Sequence, residues 1–295
     1  MRVLIGTPAG RGDVSTQYLY SFISMLGACV KNGIEPILYT LSQESLLPRG
    51  RNHIAQVAMK EKYNKCFFID ADSGWTPEQF LHIVASPFPI VAGTVPLKTF
   101  PTVLNYLPFK DDEKYFHNAI RSPESTRKMR AGYGKAEIPV AFVGTAFLCI
   151  DTGVFYKLSE SEKTYQYPNP FTGQTETHWD FFGGGPMNGT YYSEDWAFCH
   201  KAREAGYDVR INADIMINHV GNYVFQCHGG LPVDHAPEVF RPLLYRIANA
   251  KPDELIEIED SVKKILGEDN KAPERVVMSP KANVSDPSRD LGVSS

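Results

Sequence analysis

The sequence predicts an α/β fold, a mixed and mostly parallel central sheet with helices on both faces. Two observations predict it. Over the first hundred residues, short apolar runs alternate with helical stretches, the order that builds βαβ units. The chain's 295 residues, 43% of them hydrophobic, can bury the core that such a sheet needs.

Each element is read from its own residues. "RVLIGTP" is an apolar strand ended by Gly6 and Pro8. "TQYLYSFISMLGACVKNG" is a helix closed by Gly33. "IEPILYTL" is a second strand, and "RGRNHIAQVAMKEKYN" a second helix with Ile54, Val57, Ala58 and Tyr63 near helical spacing. "CFFID" is a third strand. In "TPEQFLHIVAS", Thr76 is the N-cap and Pro77 takes the first helical position. "PIVAGTVP" is a fourth strand. Residues 110–137 are polar, lack a period and read as a connection. "PVAFVGTAFLCID" is a strong strand bent at Gly144. Residues 159–192 read as a long Gly-rich aromatic loop. "SEDWAFCHKAREAG" is a helix from Ser193 to Gly206, and "YDVRINADIMI" supplies one or two further strands. A helix is expected in "DELIEIEDSVKKILG", and a flexible tail over 267–295.

The formal net charge of −4 advertises neither nucleic acid nor an anionic membrane, although a local basic groove stays open. The five cysteines are odd in number and sit mostly in apolar runs, which suits buried reduced thiols and a cytoplasmic protein. The apolar stretch in "MRVLIGTPAG" is too short for a signal peptide, and no run reaches transmembrane length.

"CFFIDADSGW" carries the chemistry. An apolar strand ends in Asp70 and Asp72, which project together if strand geometry persists. Ligands of parallel open sheets sit beyond the carboxyl ends of the strands. Two carboxylates there repel, and a divalent cation such as Mn²⁺ or Mg²⁺ relieves that repulsion. The same pair also reads as a solvated strand end followed by an Asx turn. An aspartyl-phosphate phosphatase places its acids after the first strand and follows them with Gly-Thr, which this chain does not. Glu194 and Asp195 open a helix, where they favour the macrodipole or offer a carboxylate for acid–base work. His219 in "INHVG" is a further candidate ligand, or a packed histidine.

Taken in order, "RVLIGTPAG", "FFIDAD", "SEDWAFCHKAREAG" and "HVG" resemble the nucleotide-sugar glycosyltransferases of the GT-A fold. "SLLPRGRNHIA" and "IVAGTVPLK" resemble stretches of the small stand-alone enzymes of phages and large viruses. The resemblance implies a domain over 1–266, with a nucleotide-binding half at 1–108 and an acceptor and catalytic half at 138–233. It implies that Asp70, Asp72 and His219 hold Mn²⁺ or Mg²⁺, and that Asp195, or its neighbour Glu194, is the acceptor base if the transfer inverts the anomeric centre. Thr7, Pro8 and Asp13 would lie near the nucleoside. Arg49, Arg51 and Asn52 would meet base, ribose or phosphate, and Ala71 would sit between the metal acids. The donor would be a nucleotide sugar, a UDP-sugar first. The acceptor stays open among a glycan, a small molecule and a hydroxylated base of viral DNA. The loop around Trp179 to Tyr192 would close over the donor on Gly183, Gly184 and Gly185, with Trp179, Phe181 and Trp196 free to stack on a ring. Two other readings remain: a nucleotidyltransferase, although "GTPAGRGD" lacks the lysine of a phosphate loop, and a non-catalytic nucleotide or sugar binder.

Overall fold

The computed structural model describes residues 1–42, 44–99, 102–115, 121–169, 172–187, 189–221 and 224–225. The helix expected in 253–267, the tail at 267–295 and Cys227 lie outside them. In chain order the elements are β1 (Arg2–Ala9), α1 (Thr16–Lys31), β2 (Glu35–Ser42), α2 (Leu47–Lys60), β3 (Lys65–Ile69), β4 (Ser73–Gly74), α3 (Pro77–Val84), β5 (Ile90–Thr94) and β6 (Tyr106–Leu107). They continue with α4 (Pro123–Tyr133), β7 (Glu137–Pro139), β8 (Phe142–Val143), β9 (Phe147–Asp151), α5 (Thr152–Leu158), β10 (Thr164–Pro168) and β11 (Thr175–Trp179). Last come β12 (Gly185–Met187), β13 (Thr190–Tyr192), α6 (Glu194–Glu204), β14 (Arg210–Met216), β15 (Asn218–Val220) and β16 (Val224–Phe225).

Seven strands form the central sheet in the order β2-β1-β3-β9-β5-β14-β7. β1 runs parallel to β2 and β3, and β14 runs parallel to β5. β9 is antiparallel to both β3 and β5, and β7 is antiparallel to β14. The sheet is therefore mixed and mostly parallel. The strand expected over 139–151 breaks at Gly144 into β8 and β9, and only β9 enters this sheet. Gly144 packs where a Cβ would lie 2.7 Å from the Asn105 amide.

Helices cover both faces. Cys66 and Phe68 of β3 face α2, α5 and α6 through Ile54, Phe155 and Phe198. Phe67 and Ile69 face α1 and α3 through Tyr18, Met25 and Phe80. The alternation of the pleat makes this division, and each buried aromatic or aliphatic side chain contributes about 1.5–3 kcal/mol. α3 carries the expected cap: Thr76 accepts from the Gln79 backbone N–H, and the Gln79 side chain accepts from the Thr76 N–H.

Cys29, Cys66, Cys149 and Cys199 are buried free thiols, as expected for those four. Burial pushes the Cys149 and Cys199 thiols up to about 12, so neither is a nucleophile at neutral pH. Among the described residues, no helix is long and apolar enough to cross a membrane.

Candidate functional site

The carboxyl ends of β1, β3, β5 and β14 gather the candidate residues. β3 ends at Ile69, and the chain turns at once: the Ser73 N–H donates to the Asp70 carbonyl at 3.0 Å. The Ser15 N–H holds the Ala71 carbonyl at 2.7 Å, and the Val220 N–H holds that of Asp72 at 2.7 Å. The pleat therefore does not persist through Asp72, and the two carboxylates take different partners. Asp70 continues the side of Cys66 and Phe68, the face that α2 covers, and meets Arg51 there. Asp72 turns toward the ends of β5 and β14.

Asp72 collects two basic groups. Lys98 donates to its Oδ2, and His219 Nε2 lies 3.3 Å from its Oδ1. Burial pushes the Asp72 carboxyl up, but the hydrogen bonds from His219 and Lys98, with their charges, outweigh it and hold the group at about 2. His219 Nδ1 lies 2.8 Å from the Pro96 carbonyl, an atom that can only accept. Nδ1 is thus the protonated nitrogen, and Nε2 is left facing Asp72. A carbonyl that holds the far ring nitrogen in this way orients a histidine for metal binding. Among the described residues, no three His, Cys, Asp or Glu side chains stand close enough together to hold a metal ion. Asp72 and His219 are together; Asp70 is turned to Arg51.

Arg51 is 2% exposed and ties Asp70 to α6. One guanidinium nitrogen donates to Asp70 at 3.2 Å and another to Glu194. Next along the chain, the Asp195 carboxylate accepts from the Ser193 hydroxyl and, at 2.8 Å, from the Trp196 N–H. Ser193 spends its hydroxyl on Asp195 and makes no capping bond to the helix. Burial raises the Asp195 pKa above the usual carboxylate value, against the Ser193 hydrogen bond; the Glu194 charge adds to the rise, and Arg51 opposes it.

A cleft of about 1240 Å³ opens over this edge of the sheet. Of the sequence-predicted residues, Pro8, Asp13, Asp70, Ala71 and Asp72 line it. Val220 and Gly221, next to His219, line it as well. Thr7 does not: it is fully buried and its hydroxyl pairs with Tyr18 at 2.5 Å, because alternation along β1 turns it into the core. Arg49 is held on both nitrogens by Glu44, at 2.7 and 2.8 Å. Asn52 is buried, and its amide donates to Asp180 and accepts from the Phe182 N–H, both at 2.9 Å. It therefore braces the segment after β11 from beneath.

Neither a protein-family model nor a curated protein matches the sequence. Solved structures do. A197 from STIV is 17% identical with a TM-score of 0.44, over 80% of this chain and 99% of that one. GalNAc-T7, crystallised with UDP, GalNAc and Mn²⁺, is 11% identical with a TM-score of 0.38, over 84% of this chain and 46% of that one. The inositol-1-phosphate CTP transferase from T. maritima is 14% identical with a TM-score of 0.36, over 89% of this chain and 96% of that one.

The stretch expected to be a long loop, 159–192, carries two antiparallel hairpins, β10–β11 and β12–β13, and the second lies in the part around Trp179 to Tyr192 expected to close over the donor. Phe181 is fully buried in the core, which removes it as a free stacking ring, and Trp179 stacks on it. A Cβ on Gly184 would sit 2.8 Å from the Tyr192 carbonyl, so this glycine permits close packing against the start of α6. Trp196 stacks on Phe142 with ring centroids 4.9 Å apart. Lys98 and Glu44 were not singled out from sequence, although both line the cleft. The signal for Lys98 was its place in "VPLK", just beyond a strand's carboxyl end.

The first hairpin docks on α2 through two buried histidines. His53 and His178 have ring centroids 5.3 Å apart, and Tyr167 lies within 5.3 Å of each. Burial lowers the His53 pKa to about 4, helped by His178 and Lys60 and opposed by Glu176 and Glu44; Tyr39 pairs with its Nε2. Burial lowers that of His178 as well, against Glu176. A histidine with a depressed folded pKa binds its proton more readily when unfolded. Its stability contribution is complete above the unfolded value near 6.5 and is lost as pH falls toward 4. The expected cost across that window is roughly 1–2 kcal/mol after solvent screening. Thermal melts of the parent and of His178→Phe at several pH values check this. The variant's melting temperature should fall less steeply between those limits, and parallel curves would reject the idea.

Proposed function

We propose that this chain is a glycosyltransferase that moves a sugar from a nucleoside diphosphate, UDP first, to an acceptor hydroxyl with the help of Mn²⁺ or Mg²⁺. One observation carries the reading: the cleft at the carboxyl ends of the parallel strands is walled by Asp70 and Asp72, and Asp72 faces the Lys98 ammonium and the His219 ring. A carboxylate beside a histidine whose Nδ1 is fixed by Pro96 suits Mn²⁺ better than Mg²⁺, which favours all-oxygen ligands. Asp72 and His219 would hold the ion, with Asp70 beside them. Bound there, a divalent cation stabilises the charge that grows on the departing diphosphate.

The chain's own groups supply the rest. Pro8, Asp13 and Ala71 border the space for the nucleoside. Arg51 fixes the distance between the acid turn and α6. Asp195 takes the acceptor's proton, a role its raised pKa suits, because a more basic carboxylate accepts a proton better. The acceptor class, whether glycan, small molecule or hydroxylated viral DNA base, is to be read from a panel.

The test is binding and turnover together. UDP with Mn²⁺ at 100 times the dissociation constant should stabilise the fold by about 2.7 kcal/mol, a clear rise in melting temperature. Nucleoside diphosphate should be released from a nucleotide sugar. Asp72→Asn should lose the Mn²⁺-dependent part of that rise while melting close to the parent without ligand. Pyrophosphate release from a nucleoside triphosphate would instead identify a nucleotidyltransferase. Binding that survives Asp70→Ala without turnover in the parent would identify a non-catalytic binder.

A further inference from the structure

The geometry points to Lys98 as the diphosphate anchor of the cleft, a side chain that leaves Asp72 for the donor's phosphate oxygens when a divalent cation occupies that carboxylate. The inference rests on the nucleotide-sugar reading above and adds to it a residue and an order of events.

A diphosphate brings at least two negative charges into a cleft already lined by Asp13, Glu44, Asp70 and Asp72. Positive charge must meet it. Arg11 and Lys98 are the lysine and arginine side chains that line the cleft. Arg11 is 92% exposed and lies 3.7 Å from Asp13. Arg49 is taken by Glu44, and Arg51 is buried between Asp70 and Glu194. Of these, Lys98 is the one that meets Asp72.

Its present position is on Asp72 Oδ2, while His219 faces Oδ1. A divalent ion brought to this carboxylate would put two cations on one anion, and their mutual repulsion makes Lys98 and the ion compete for Asp72. The side chains of Lys98 and Asp72 are 39% and 38% exposed, so the pair is only weakly held and exchanges at little cost. The backbone beneath is fixed. The Leu97 N–H donates to Val103 at 2.7 Å, and Asn105 accepts from the Val95 N–H at 2.9 Å. Pro96, two residues before Lys98, accepts from His219. One short segment after β5 thus orients the histidine and carries the competing cation. A long flexible stem on a fixed base can swing from Asp72 to a phosphate oxygen beside it, and an ammonium binds phosphate as a mobile point charge. Without nucleotide, Lys98 opposes the metal ion. With diphosphate present, both cations have an anionic partner and the opposition ends.

The experiment uses the full chain with Lys98→Met and Lys98→Arg. Mn²⁺ alone is titrated by electron paramagnetic resonance, and UDP is titrated by calorimetry at saturating Mn²⁺. Lys98→Met should bind Mn²⁺ alone about 2- to 5-fold more tightly, because its competitor is gone. It should bind UDP in the presence of Mn²⁺ about 10- to 100-fold more weakly, the effect of one charge-assisted hydrogen bond. Lys98→Arg should keep the UDP affinity within a few-fold. A purely structural lysine would not move the two affinities in opposite directions. The side chain is partly exposed, so an unchanged melting temperature without ligand shows that the variants fold. Unchanged UDP affinity in Lys98→Met, or weaker Mn²⁺ binding, overturns the assignment while leaving the donor reading intact. A parent chain that binds no UDP with or without Mn²⁺ overturns both.

Discussion

Replacing Arg51 with Met is expected to destabilise the fold by about 3 kcal/mol and to lower its melting temperature by roughly 6–12 °C. The guanidinium is buried and bridges two carboxylates whose own side chains are 29% and 20% exposed, Asp70 and Glu194. Removing it leaves both partly buried acids without that cation, and an orphaned charge of this kind costs more than the pair contributed. Lys at this position keeps the charge but offers a single point of attachment, so Arg51→Lys should fall between the two. The decisive variant is Arg51→Met with Glu194→Met. If the penalty comes from the orphaned carboxylate, the double variant recovers more than half of the loss, a coupling that melting curves of the four proteins measure directly. Additive losses, or a single variant that melts with the parent, would show that the bridge contributes nothing.

The bridge also marks where the sequence stops being readable. Arg51 and Glu194 are 143 residues apart, and nothing local joins them. Elements set by local rules were legible. α3 begins with a capping box, and α1 is followed by Gly33 at a φ of 64°, which its glycine allows without strain. The helix Pro123–Tyr133 also carried its signals: Ser122 as N-cap, Pro123 at the first position and Gly134 at a φ of 66°. The sequence reads as a connection there because the helix buries only Ser125, Thr126 and Met129, too few apolar residues to print a period on a polar stretch. The hairpin β10–β11 was hidden for the same reason. Its fully buried side chains are Tyr167 and His178, and they pack on His53 of α2, more than a hundred residues earlier in the chain. The antiparallel insertion of β9 between β3 and β5 is a tertiary choice that an apolar run does not announce. In the site, residue types at strand ends could be found from sequence. Their pairings could not: a turn after Ile69 sent Asp70 and Asp72 to different partners, and one step of the pleat sent Thr7 into the core.

Asp195→Asn is expected to lower kcat by about 10²–10⁴-fold with the donor's KM nearly unchanged. The amide is the same size, and its oxygen can still accept from the Ser193 hydroxyl and the Trp196 N–H, so the local structure has no reason to move. What is lost is the capacity to take a proton from the acceptor hydroxyl. Glu194 cannot replace it freely, since its carboxylate is engaged by Arg51. The pH dependence separates this role from a structural one. Transfer needs Asp195 ionised, and burial raises its pKa above the ordinary carboxylate value. The parent's rate should therefore fall on the acid side at a pH above that at which a free aspartate titrates. In Asp195→Asn the small residual rate should lose that limb. The acid limb and the rate loss belong to one proton, so they must vanish together. An Asp195→Asn enzyme that keeps most of its kcat, or one that is slow yet retains the parent's acid limb, would move the base to another group and leave Asp195 as the brace of a helix start.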